Sequence, residues 1–139
     1  MRYLLTSLFL FGLSITFGQS KYNRILNSID DNKTNYSGIA QQIWSYAEMG
    51  YQETQSSALL QKTLEEAGFK ITTGVADIPT AFTATYGSGG PVIAVLGEFD
   101  ALPGLSQKAV PYKVSNDGKA GHACGHHLFG TASAAAAIA

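Results

Sequence analysis

Residues 92–96, Val-Ile-Ala-Val-Leu, form an unbroken apolar run between Pro91 and Gly97. The run has the length of one strand and leaves no polar side chain to face water. That pattern predicts a strand buried on both faces, as in a sheet covered by helices. Such a strand needs neighbours along its edges and a helical layer on each side. The expected fold class is therefore α/β, a mixed sheet covered by helices.

The flanking chain offers the other layers. Over residues 21–47, Ile25, Ile29, Tyr36, Ile39, Ala40, Ile43, Trp44 and Ala47 recur at a helical period, with a possible break at Asp30-Asp31-Asn32. Residues 48–53 contain Gly50 and predict a turn. Thr54 is placed to cap a second helix with Leu60, Leu64 and Ala67 on one face, ended by Gly68. Phe69–Thr73 and Ala81–Tyr86 predict short strands, the second alternating Phe82, Ala84 and Tyr86 with Thr83 and Thr85. Gly87-Ser88-Gly89-Gly90 has the glycines of a phosphate loop, but no helix follows and no lysine is placed to help, so a tight turn is expected. After Asp100 a stretch of about twenty residues lacks periodicity, a length that is often functional in a compact domain. Leu128–Ala139 is dominated by alanine and predicts a helix able to approach its neighbours closely.

Chemistry concentrates in one place. The chain of 139 residues has three histidines and one cysteine, all between His122 and His127. Thiolate and imidazole are the ligands preferred by zinc-like ions. Cys124 and His126 stand two residues apart at an expected helix start, where the dipole favours a thiolate. Upstream, the apolar run ends in Gly97-Glu98-Phe99-Asp100. Extended residues two apart share a face, so Glu98 and Asp100 are expected to point to a common site beyond the strand end, where α/β sheets bind ligands. Three readings fit these residue types: a catalytic metal site, a cysteine nucleophile with a histidine base, and a structural loop. No orienting residue or oxyanion hole marks the second.

Composition excludes other classes. A net charge of −1 offers no basic surface, so no nucleic-acid partner is expected. A single cysteine rules out an intramolecular disulfide. At the N-terminus, Arg2, an uncharged apolar run over Tyr3–Phe17 and small residues before a cut after Gly18 match a secretory signal peptide. A transmembrane anchor is the alternative, but the run is shorter than the roughly 20 residues of a span. Export to the periplasm or medium, with no stable membrane anchor, is expected.

The stretches GEFDALPG at 97–104 and GHACGHHLFG at 121–130 together resemble the dinuclear metal-dependent amidohydrolases and metallopeptidases related to aminoacylases and glutamate carboxypeptidases. WSYAEMGYQE at 44–53 is similar to an early stretch of the branch that holds hippurate and auxin-conjugate hydrolases. The resemblance runs from Ile39 to Ala139 and implies the N-terminal part of a metallopeptidase-like catalytic domain, with residues 1–18 as signal and 19–139 as a domain truncated at its C-terminal end. It implies Cys124 and His126 as metal ligands and Asp100 as the active-site aspartate. Glu98 falls where other branches place a histidine ligand, and His127 where this branch more often has aspartate or asparagine. His127 is expected to support the ligands from behind, and the match implies no ligation by His122.

The activity so implied is hydrolysis of the amide bond of N-acyl or aminobenzoyl amino acids, or of dipeptide-like substrates, with two divalent ions, Mn²⁺ or Zn²⁺. The family's general-base glutamate lies downstream of its C-G-H motif, beyond Ala139. The chain alone is therefore expected to be inactive, and the full-length protein to be a homodimer. The alternative is a non-catalytic exported protein that binds metal or peptide.

Overall fold

The computed structural model describes residues 22–116 and 118–139. The described residues divide into two compact units, 22–33 with Ala139 and 34–138. The expected signal peptide lies outside the described residues. No helix among the described residues is long and apolar enough to cross a membrane.

In the first unit, residues 22–31 form helix α1, which exposes Tyr22, Ile25 and Leu26. It stops at Asn32, whose side-chain amide donates to the Ser28 carbonyl at 2.9 Å. A short polar side chain that bonds nearby backbone competes with the helix ladder, so the expected break falls here.

Helix α2 (Lys33–Tyr46), which belongs to the second unit from Thr34 on, buries Ile39, Ala40 and Ile43. Ala47 follows with φ +46, the left-handed turn that usually falls to glycine. Helix α3 (Thr54–Glu66) buries Ser56, Ser57, Leu60 and Leu64. Gly68 ends it as expected, with φ +91 and its N–H on the Glu65 carbonyl at 2.9 Å. Thr54 is not the cap: its hydroxyl donates to the Gln52 carbonyl at 3.2 Å. The helix start is held instead by Glu48, which the turn at Ala47 brings back over it. Glu48 Oε1 accepts the N–H of Gln55 at 3.0 Å, and Oε2 accepts the N–H and hydroxyl of Ser56 at 2.9 and 2.8 Å. A full negative charge reaches the unsatisfied N–H groups and the positive helix end better than a hydroxyl does.

Strands β1 (Lys70–Thr73) and β2 (Phe82–Thr85) pair antiparallel, with Ile71 opposite Ala84. The expected alternation holds in β2, where Phe82 and Ala84 turn inward and the threonines outward. The hairpin is fastened to α3 by Thr80, whose hydroxyl donates to Glu53 at 2.7 Å and whose carbonyl accepts from Ser57 at 2.6 Å. Strands β3 (Leu102–Pro103) and β4 (Ala120–Gly121) form a second antiparallel pair, which closes the aperiodic loop between them. The backbone of Leu105 lies where a Cβ on Gly121 would stand, so only glycine fits that crossing.

Helix α4 (His126–Ile138) buries Gly130, Thr131, Ala134 and Ala135. The core gathers Ile39, Ile43, Leu60, Leu64 and Ala134, with Phe82 and Phe99 packed against it. Each fully buried Ile or Leu side chain contributes about 1.5–3 kcal/mol by leaving water.

The observed architecture is thus helices with two small antiparallel sheets, which corrects one expectation. Residues 92–96 join neither sheet, and Val92 and Ile93 are 86% and 85% exposed. An apolar run gives a segment the capacity for burial; burial also requires a free sheet edge and a covering layer. Among the described residues neither pair, β1 with β2 or β3 with β4, extends to a third strand, and 92–96 has no ladder partner.

Candidate functional site

The site is built where the segment after the apolar run crosses the start of α4. Leu96 accepts the Ser133 hydroxyl through its carbonyl at 2.6 Å. Two residues on, the Glu98 carbonyl oxygen lies 2.8 Å from where a Cβ on Gly130 would stand, and Phe99 Cβ lies 3.2 Å from that point. Two residues further, Asp100 meets His126. The helix residues 133, 130 and 126 lie on one face, so the segment runs back along α4 toward its N-terminus. Ala101 locks the end of the crossing: it is 1% exposed, and its N–H donates to the Glu48 carbonyl at 2.7 Å. A glycine inside a helix costs about 1 kcal/mol against alanine, which the close crossing at Gly130 accounts for.

Gly125, with φ +76, turns the chain into α4, and its carbonyl accepts the N–H of Leu128 and Phe129 at 2.9 and 3.1 Å. His126 is the first residue of the helix. Its Nδ1–H donates to Asp100 Oδ1 at 2.8 Å, and its Nε2 lies 3.1 Å from Glu98 Oε2. Glu98 and Asp100, two residues apart, therefore both reach the His126 ring. With the proton on Nδ1, the neutral ring turns the lone pair of Nε2 toward a carboxylate oxygen. Two acceptors stay at that distance with positive charge between them, from a second ring proton or from a metal ion. Two donors on one tetrahedral zinc-like ion, each about 2.0–2.1 Å from it, stand about 3.3 Å apart. The residue types and the His126–Glu98 spacing therefore fit a divalent ion, and Asp100 holds the ring in the tautomer that ligation through Nε2 requires.

The rest of the donor set is not converged. Cys124 is a free, exposed thiol in the turn before α4. Among the described residues, no group of three His, Cys, Asp or Glu side chains is arranged to hold an ion. His122 and His127 form a separate pair with ring centroids 4.9 Å apart. His122 Nε2–H donates to the Ile43 carbonyl on α2 at 3.0 Å. Burial lowers the pKa of His122, the positive charge of a protonated His126 adds to that, and the bond to Ile43 opposes it. Burial, and then His122, lower that of His127. The Nδ1 atom of each ring is buried and has no hydrogen-bond partner among the described residues. A nearby cleft lined by Trp44, Glu48, Gln52, Gln107 and Lys119 includes none of Glu98, Asp100 and His126.

No family model matches the chain. Individual proteins do. One of the subunits of p-aminobenzoyl-glutamate hydrolase from Escherichia coli (strain K12) is 48% identical over 124 residues, which are 87% of this chain and 26% of that protein. The chain belongs to this amidohydrolase family. N-acetyl-L-cysteine deacetylase of Bacillus subtilis (strain 168) is 34% identical over 95 residues, 64% of this chain and 21% of that protein. Thermostable carboxypeptidase 1 of Saccharolobus solfataricus is 32% identical over 90 residues, 63% of this chain and 22% of that protein. The chain spans about a quarter of the length of these relatives.

Sequence reasoning missed three residues that build this crossing and the helix start beside it. Glu48 was legible only as one acid in the 44–53 stretch, because its partner helix start lies seven and eight residues away. Gly130 carried a signal in its being a glycine within a helical run. Ser133 carried none, since a serine among alanines does not reveal a carbonyl 37 residues upstream.

Proposed function

We propose that this chain forms the Cys124–His126 side of a two-ion centre in an exported amidohydrolase. Its substrates are N-acyl or aminobenzoyl amino acids. The observation that carries the reading is the placement of His126 between Asp100 at 2.8 Å and Glu98 at 3.1 Å. The relatives' names support the substrate class, since aminobenzoyl-glutamate and N-acetylcysteine both join an acyl group to an amino-acid nitrogen.

Cys124 and His126 are the proposed ligands, with Glu98 beside His126. Mn²⁺ or Zn²⁺, two per site, would supply Lewis acidity toward the scissile carbonyl and toward water. Asp100 accepts the Nδ1–H of His126, which leaves Nε2 as the ring nitrogen that would hold an ion. Burial lowers the pKa of His122 and of His127, which disfavours a positive charge on either ring. Further donors and the general base belong to the remainder of a longer protein, and residues 19–139 alone are proposed to be inactive. The signal over residues 1–18 and a homodimeric assembly are parts of the same proposal.

The test is to assay the full-length product on a panel of N-acyl amino acids, hippurate and aminobenzoyl-glutamate, with Mn²⁺ or Zn²⁺ added back. Metal-dependent turnover is expected. Bound metal without turnover on any member would leave the metal- or peptide-binding alternative standing.

A further inference from the structure

We infer that Gly130 and Ser133 are positioning residues that set the register of segment 96–100 on α4 and so deliver Asp100 and Glu98 to His126. The inference deepens the amidohydrolase reading, but its evidence is independent of any activity. Three contacts tie the segment to one helix face: the Leu96 carbonyl to the Ser133 hydroxyl at 2.6 Å, the Glu98 carbonyl over Gly130, and Asp100 on His126 at 2.8 Å. The residues alternate by two along the segment and advance by three and four along the helix, so both partners keep their own period.

The first two contacts fix the third. A Cβ on Gly130 would stand 2.8 Å from the Glu98 carbonyl oxygen and 3.3 Å from Leu60 Cδ1. The first of these is backbone and cannot swing aside, so the segment would have to lift from the helix. Glu98 and Asp100 lie at and next to the lifted point, and a hydrogen bond at 2.8 Å does not survive a lift of about an ångström. Gly97 repeats the constraint from the other side: a Cβ there would stand 3.2 Å from Ser133 Cβ and 3.4 Å from Gly130 Cα. Segment and helix therefore touch through glycine on both partners. Residues 92–95, immediately before, are exposed and join neither sheet of the described chain, so no strand pairing upstream holds the register. The Ser133 bond is its first anchor.

The test follows the side-chain N–H of His126 in the full chain, labelled with ¹⁵N-histidine and assigned by its loss in His126→Gln. In the parent chain Nδ1–H bonded to Asp100 gives a downfield proton resonance that exchanges slowly. Gly130→Ala and Ser133→Ala are expected to lose that resonance while circular dichroism keeps the helix content, and Ser133→Thr, which retains the hydroxyl, is expected to restore it. Should Gly130→Ala fail to fold, the Ser133→Ala and Ser133→Thr pair decides alone. An unchanged His126 resonance in Ser133→Ala, or in a folded Gly130→Ala, overturns the inference. Absence of hydrolysis by the full-length parent would overturn the proposed function and leave this result as it stands.

Discussion

Asp100 Oδ1 accepts the Nδ1–H of His126 at 2.8 Å, joining the end of the crossing segment to the first residue of α4. This bond decides which ring nitrogen is free for other work. Asp100→Asn keeps the shape and removes the charge. In the full-length protein, turnover should fall by about 10- to 100-fold, the range for residues that orient a metal ligand, with metal content retained. Turnover close to the parent's would make Asp100 a structural residue.

Cys124 is exposed in the described chain, so an alkylating reagent should reach it without metal. If the thiolate is a ligand, Zn²⁺ or Mn²⁺ added to the full-length protein should slow alkylation, and a chelator should restore the rate. Cys124→Ala should lose metal and turnover together. Full metal content in that variant would remove Cys124 from the ligand set.

Glu48 makes an acid-sensitive fastening. Burial works against its ionisation, but the hydrogen bonds from Gln55 and Ser56 outweigh that and hold its pKa below the ordinary 4.5. Between the two values the unfolded chain binds the proton and the folded chain does not, so stability rises with pH across that window. The contribution is complete above the ordinary value of 4.5 and is lost as pH falls through the folded value. Glu48→Gln should cost about 1.5–3 kcal/mol at neutral pH, as expected for hydrogen bonds to a charged group. The same variant should flatten the acid limb of a denaturation series, and an unchanged limb would refute the assignment.

Ile43 is 0% exposed on α2, and its carbonyl accepts from His122. Ile43→Ala should destabilise the unit by about 2–5 kcal/mol through the cavity it leaves, while the bond to His122 remains available. His122→Ala removes that bond and should cost about 1 kcal/mol. Urea denaturation of both variants would show whether packing or the clasp dominates; an equal loss in the two would contradict the ordering.

Export is tested at the N-terminus. The protein recovered from the periplasm or medium should begin at Gln19 or an immediate neighbour. An intact Met1 in that fraction would remove the signal-peptide proposal.

Helices and hairpin were legible in the sequence because their causes are local. The spacing of Ile39, Ala40 and Ile43, the glycine at 68 and the alternation through Phe82 and Ala84 each bias the backbone within a few residues. The clustering of every histidine and the cysteine at 122–127 likewise pointed to the site, and the spacing of Glu98 and Asp100 to a shared target. What only the tertiary structure decided depends on contacts between distant residues. Thr54 has the chemistry of a cap, yet Glu48 takes the helix start because a left-handed turn at Ala47 brings a stronger acceptor back to it. Val92–Leu96 has the pattern of a buried strand, yet it lies exposed and joins neither sheet of the described residues. His126 finds Asp100 because Gly130 and Ser133 admit and hold a backbone from more than thirty residues upstream. Side-chain periodicity fixes which face of an element avoids water; which partner covers that face, and in what register, is fixed by steric fit and hydrogen bonds that form only once the elements meet.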